Sequence, residues 1–337
     1  MKKEAMLFSK KEGLKVQCQL CGHTCVIENG SFGICGVREN EHGILYTHTF
    51  GELIAAHIDP IEKKPLYHFL PGSRSLSIAT PGCNFKCDFC QNWQISQHTA
   101  EDFRTLGLYP ATPEQLVRKA KRENCESISY TYTEPTIYFE YAYEIAKLAR
   151  KENLYNVFVT NGFMSRDAIE TIHPFLDASN VDLKSFRDSF YKNICKGRLK
   201  VVLDSIELMK KLNIWVEITT LIVPELNDSE EELKDIAAFI AHVGKDIPWH
   251  ISRFHGDYKL SGKGYTSLKT MQMARELGRE AGLRYVYLGN ISAEENNTYC
   301  SSCKKLLIDR SLYVAGKNTI KDSACPQCNT KIEGVWR

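Results

Sequence analysis

Thr80-Pro81-Gly82-Cys83-Asn84-Phe85-Lys86-Cys87-Asp88-Phe89-Cys90-Gln91-Asn92-Trp93 carries three cysteines at the spacing C-x3-C-x2-C. Three thiolates this close can hold three irons of a cubic iron–sulfur cluster and leave the fourth iron without a protein ligand. An open metal position is where a substrate or cofactor binds, the distinction that separates catalytic from structural zinc sites. On spacing alone the alternative is a three-thiolate zinc site, or part of one whose fourth ligand lies elsewhere.

Working outward, Ser75–Ala79 reads as a strand that delivers this loop from its C-terminal end. Further strands are expected at Ser127–Thr133, Tyr155–Thr160, Asn180–Lys184, Ile214–Val223, Trp249–Phe254 and Tyr285–Leu288. Amphipathic helices are expected between them, at Pro113–Asn124, Ile137–Glu152, Arg166–His173, Val201–Leu212, Glu230–His242 and Leu268–Ala281. Thr112 with Gln115, and Ser229 with Glu232, have capping-box spacing, and Gly244 and Gly282 suit helix stops. About six βα units mean an α/β fold with a parallel sheet, closed or nearly closed into a barrel, or else doubly wound and open.

In either architecture function gathers at the C-terminal ends of the strands. Those ends carry Thr131-Tyr132-Thr133-Glu134-Pro135, Thr160-Asn161-Gly162, Asp182-Leu183-Lys184, and the group His250, Arg253 and His255. Taken singly, such residues are turn formers, caps or solvated charges. Four groups on one face make a candidate site. Cys195, in Asn193-Ile194-Cys195-Lys196-Gly197, falls in a loop on the same face. There a thiol could donate hydrogen or anchor a substrate, or simply pack as a small hydrophobe. Cys125 precedes its strand, at the opposite face, and reads as structural.

Eleven of the 13 cysteines fall into three groups: Cys18/21/25/35, Cys83/87/90 and Cys300/303/325/328. In a reducing compartment such groups read as metal ligands rather than disulfides. The first, in Cys18-Gln19-Leu20-Cys21-Gly22-His23-Thr24-Cys25 and on to Cys35, suffices for structural zinc or for a second iron–sulfur cluster; the reading favours a structural metal. His23 reads as a polar surface residue. The last, two C-x2-C half-sites around the β-prone Leu306–Val314, reads as a zinc ribbon or a rubredoxin-like iron site. Asp59-Pro60-Ile61-Glu62-Lys63-Lys64-Pro65-Leu66-Tyr67-His68-Phe69 reads as an extended lead-in wrapping the domain.

With 337 residues, 43% apolar and 25% charged, the chain has the composition of a soluble globular protein, and a net charge of +2 argues for neither nucleic acid nor membrane as partner. The apolar run at the N-terminus is too short for a signal peptide, and no stretch reaches the roughly 20 apolar residues of a membrane span. The expectation is a cytoplasmic protein. A cluster with an exposed iron further suggests an anaerobic or microaerobic host.

The Cys83/87/90 motif, with aromatic Phe89 between its last two cysteines, resembles the signature of the radical S-adenosylmethionine (SAM) enzymes. That resemblance implies a partial (β/α)6 TIM-like barrel and a [4Fe-4S] cluster whose open iron chelates SAM. An electron from the cluster cleaves the sulfonium to a 5′-deoxyadenosyl radical, and Phe89 lies near the adenine. An electron donor such as flavodoxin or ferredoxin is implied. The domain is similar to the activating-enzyme branch that includes pyruvate formate-lyase activating enzyme. By that similarity Glu134, Asn161, Asp182, Lys184 and His255 are candidate SAM contacts. The chain departs from the branch where the glycines before Glu134 are replaced and where Val159 takes the place of an Asp. The N-terminal cysteines, the Asp59–Phe69 lead-in, the central motif and the C-terminal ribbon together resemble the radical SAM member of the AmmeMemoRadiSam system, which implies Memo-like and AMMECR1-like partners.

The expected organisation is a Cys-rich segment and lead-in over 1–74, a radical SAM core over 75–290 and a metal-binding ribbon over 291–337. The leading expectation is an enzyme that cleaves SAM and abstracts hydrogen from an unidentified substrate. One alternative is an activase that installs a glycyl radical on a partner protein. The other is a non-enzymatic zinc-binding interaction module.

Overall fold

The structure, a computed structural model, describes residues 2–291, 296–311 and 313–336. Its centre is an eight-stranded sheet in strict chain order: β1 (Ala55–Pro60), β2 (Arg74–Ala79), β3 (Ser127–Tyr130), β4 (Tyr155–Thr160), β5 (Ala178–Asp182), β6 (Trp215–Ile222), β7 (Trp249–Arg253) and β8 (Val286–Gly289). The strands from β2 to β8 run parallel, and β1 is antiparallel to β2 at one edge. The sheet has two edges, β1 and β8.

Between successive parallel strands lie α1 (Pro113–Arg122), α2 (Phe139–Lys151), α3 (Arg166–Ile172), α4 (Leu199–Lys211), α5 (Glu230–Val243) and α6 (Leu268–Glu280). Burial on both faces explains strands such as β3, all four of whose residues are buried. Each helix buries one stripe; α1 buries Pro113, Leu116, Val117 and Ala120, one face at helical spacing.

The helix starts follow their caps, with one departure. Thr112 and Gln115 make the reciprocal box, side chain to backbone in both directions. At α5, Ser229 accepts from the Glu232 amide, but the Glu232 carboxylate does not return to Ser229. It accepts instead from Ser185 and the Phe186 amide, both at 2.5 Å, tying α5 to the loop after β5. A tertiary partner outcompetes the local one.

Two expected strand ends shift. The strand from Ser127 stops at Tyr130, because Tyr132 takes a left-handed φ of 63° and turns the chain. The strand expected at Asn180–Lys184 is β5, two residues earlier, which leaves Lys184 beyond the sheet's rim. The lead-in does more than wrap. Asp59 and Pro60 end β1, Ile61–Lys63 make a short 3-10 turn, and the remainder crosses the sheet, where the Tyr67 and His68 amides donate to the Glu217 carboxylate of β6 at 2.9 and 2.8 Å. Asn180 of β5 donates to the Pro65 carbonyl at 2.8 Å.

Two smaller units attach to this centre. Residues before Ala55 form short antiparallel sheets, joined to α2 by a buried ion pair between Arg38 and Glu140. After the sheet, β9 (Thr298–Tyr299), β10 (Leu306–Ser311) and β11 (Val314–Asn318) make a three-stranded antiparallel ribbon. Buried Arg310 docks it by donating to the Tyr67 carbonyl at 2.7 Å, and Val335 pairs with Phe69. Residues 292–295, where the core gives way to the ribbon, lie outside the described residues.

Candidate active site

The C-terminal ends of β2 to β8 open on one cavity of about 580 Å³. Cys83, Cys87 and Cys90 line it from the loop after β2. Gly82 begins that loop with a φ of +101°, which a side chain rarely adopts, and a Cβ there would lie 3.1 Å from Val37. The Phe85 amide donates to the Cys83 sulfur at 3.3 Å, and the Cys90 sulfur lies 3.1 Å from the Ser96 hydroxyl. Burial raises the pKa of all three thiols, so their ionisation calls for a positive partner; for Cys87 the neighbouring Cys195 thiol adds to that effect and leads it.

Asp182 and Lys184 line the same cavity and form an ion pair of 2.7 Å. Burial works against the Lys184 charge, but Asp182 beside it holds the ammonium well above the ordinary lysine range. The Lys184 ammonium also stands 5.7 Å from the ring of Phe89, which is buried against Phe190 on the cavity wall. Asn161 lies on the wall too, donating to the Asn84 side chain at 2.8 Å. Gly162, just after it, has a φ of +70° and sits where a Cβ would come within 2.8 Å of Val181.

Glu134 borders the cavity, but its carboxylate is already filled. It accepts from the Thr136 amide and hydroxyl, the Thr160 hydroxyl and the Asn161 amide, at 3.1, 2.6, 2.7 and 2.8 Å. It therefore bolts the end of β3 to the end of β4. Cys195 is fully buried in a π-helical turn, Tyr191–Cys195, with its thiol against Cys87. The Cys195 and Ile194 carbonyls accept from the Lys86 and Asp88 amides, so this turn clamps the cysteine loop. His255 stands apart: it is exposed, its ring lies tilted 6.4 Å from that of Tyr265, and it is not on the cavity wall. His23, expected at the surface, is half-buried and its ring bonds the Asn84 carbonyl at 2.8 Å.

The sequence reading missed the cavity floor. Lys63, Lys64, Pro65 and Tyr67 of the lead-in form it, with His250. Lys64 bonds Asp59 at 2.7 Å and Ser77 at 2.5 Å, and His250 bonds Glu217 at 2.6 Å. A basic pair between two prolines, ahead of a strand that ends at the cysteine loop, was the available signal. From the ribbon, Tyr313 adds to the rim.

The cysteine groups differ in spacing. Among the described residues, Cys300, Cys303, Cys325 and Cys328 alone bring three or more such ligand atoms all within 4.8 Å of one another, with pairs at 3.6 Å. A tetrahedral ion with bonds of about 2.3 Å to sulfur needs edges of about 3.8 Å, so this quartet fits one metal ion. Cys83, Cys87 and Cys90 do not form so tight a group, and thiolates that each bind their own iron need not. Three thiols beside an ammonium, an amide and open space fit a cluster with an open iron and a zwitterionic ligand.

Comparison with known proteins agrees with this chemistry. The Radical SAM superfamily profile matches residues 77–240. Uncharacterized protein MJ0808 of Methanocaldococcus jannaschii is 43% identical over 99% of both chains. The pyruvate formate-lyase-activating enzyme of Clostridium pasteurianum is 23% identical over 56% of this chain and 83% of its own. Among solved structures, a radical SAM methyltransferase from Sphaerobacter thermophilus shares the fold with a TM-score of 0.52, at 14% identity over 71% of each chain. The chain belongs to the radical SAM superfamily.

Proposed function

We propose that this protein is an enzyme that binds a [4Fe-4S] cluster through Cys83, Cys87 and Cys90 and uses it to cleave SAM. The carrying observation is that three thiols from one loop face the same cavity as the Asp182–Lys184 pair and Asn161, which reach it from two other strands. When bound, the cluster and SAM supply reductive sulfonium cleavage and a radical able to abstract hydrogen. The chain's own residues bind and orient. Lys184 offers a half-buried cation to a carboxylate, held in place by Asp182. Phe89 gives a flat apolar wall, and Asn161 offers polar atoms beside Cys83. The lead-in floor excludes water from below.

On this reading the sheet curls as a partial barrel, because strands from β2 to β8 all border one cavity. Its span is 75–290, preceded by the Cys-rich segment over 1–74 and followed by a ribbon over 291–337 that holds zinc. The whole acts in an anaerobic cytoplasm, reduced by a ferredoxin- or flavodoxin-like donor, as the radical SAM member of the AmmeMemoRadiSam system with Memo-like and AMMECR1-like partners. Anaerobically reconstituted protein should give 5′-deoxyadenosine with dithionite and SAM. The Cys83/87/90→Ala variant should lose that product together with the iron bound there. Unchanged iron content in the variant would sink the assignment.

A second reading, an activase acting on a partner polypeptide, is favoured by relatives named as activating enzymes. One is the putative glycyl-radical enzyme activating enzyme MJ1227 of Methanocaldococcus jannaschii, 30% identical over 50% of this chain and 68% of its own. A glycyl radical signal arising on a co-expressed polypeptide only with this protein would decide for it.

A further inference from the structure

Cys18, Cys21, Cys25 and Cys35 line a second, smaller cavity beneath the cysteine loop, with Arg38 and Asn84 on its wall. None of the four is in a disulfide. All four border this one void, which Leu20, His23 and Ile27 also line. Yet no three of their sulfurs lie within 4.8 Å of one another, in contrast to the C-terminal quartet. One zinc ion would need edges of about 3.8 Å. The quartet is more open than the C-terminal one, yet all four thiols border the same void.

Four thiolates spread around a void are what the corners of a cubane require, each sulfur bound to its own iron. The wall supports the same ligand. Arg38 is buried, donates to the Cys18 sulfur at 3.2 Å and has an Nε with no partner; the buried Asn84 Nδ2 also has none. Buried donors left over at a ring of thiols are groups that a polarisable anionic cluster would use.

We propose that Cys18, Cys21, Cys25 and Cys35 bind a second [4Fe-4S] cluster, fully ligated by protein and adjacent to the cysteine loop of the main cavity. Adjacency follows from Asn84, which borders this cavity while its sequence neighbour Cys83 borders the other. The His23 ring, between Cys21 and Cys25, bonds the Asn84 carbonyl at 2.8 Å. The adjacency to another cluster rests on the function proposed above; the site itself does not.

The test uses the full chain, purified and reconstituted with iron and sulfide without oxygen. The wild type should hold about eight irons in cubane clusters, and the Cys83/87/90→Ala variant about four, with [4Fe-4S] Mössbauer doublets retained. A Cys25→Ser variant should lose or alter the retained set, a milder change than removing all four thiols. Zinc in place of iron at the quartet of the triple variant, or no metal there, overturns the proposal and leaves the main-cavity reading intact. Wild type and triple variant both with about four irons would support the quartet site and defeat the main-cavity reading. In the dithionite-reduced wild type, the two adjacent clusters should broaden each other's EPR signals, and the triple variant should show one unbroadened signal. Unbroadened wild-type spectra at full iron loading would overturn the adjacency.

Discussion

Glu134 and Lys184 are two charges on one cavity with different work. The Glu134 carboxylate is spent on four donors from β4 and its own turn, so its removal is a stability change first. Glu134→Ala strands buried donors and should cost about 2–4 kcal/mol in anaerobic denaturant unfolding. Lys184 has one partner, Asp182, and open space beyond it. Lys184→Met should keep the iron content of the wild type while weakening SAM binding by about 10- to 100-fold, the scale of one lost charged hydrogen bond. Equilibrium dialysis of SAM against both proteins checks this. Equal affinity would remove Lys184 from the binding surface.

Among the elements, the lead-in has the largest consequence. His68 is fully buried beneath the sheet; it bonds the Tyr287 hydroxyl at 2.6 Å and the Glu333 carbonyl at 2.7 Å. Burial pushes its pKa down to about 4. The unfolded chain, with a histidine near 6.5, takes up that proton first, so stability falls as pH drops from about 6.5 to 4, by roughly 3 kcal/mol. Burial raises the Glu217 pKa, but His250, His68 and Trp215 together outweigh it and hold this carboxylate below its ordinary range, so acidification through that range costs stability too. Melting temperature should fall between pH 7 and 4.5, and His68→Gln should flatten the slope. The alternation of strands and helices was legible because each helix follows its stripe and cap, as α1 does from Thr112. The lead-in's role was not. Prolines and a basic pair carry no periodicity, and the Glu217 carboxylate that receives its amides lies far along the chain. For the site, cysteine spacing named the loop, and strand ends named Asn161, Asp182 and Lys184. His255, just past the end of β7, is exposed and off the cavity wall, a placement that residue type and spacing do not encode.

At the scale of the whole molecule, the ribbon is part of the cavity's support. Its core joins Leu307, Ile308 and Ile332 to Tyr285 and Tyr287 of the β8 segment and to Tyr67 of the lead-in. A metal held by Cys300, Cys303, Cys325 and Cys328 would supply much of the folding free energy of a segment this small. Stripping the C-terminal metal with a chelator should therefore expose Trp336 and make the ribbon protease-sensitive while α-helical circular dichroism persists. A chelated protein with unchanged Trp336 emission and protease resistance would show the ribbon to be self-sufficient. The lead-in also sets a timetable for synthesis. Tyr67 leaves the ribosome 150 residues ahead of the Glu217 that receives its amide. At 5–20 residues per second, roughly 8–30 s pass in which the cavity has no floor and the cysteine loop stands open. On the proposed function, a cluster delivered to Cys83, Cys87 and Cys90 would meet its widest entrance during that interval, before the chain closes it.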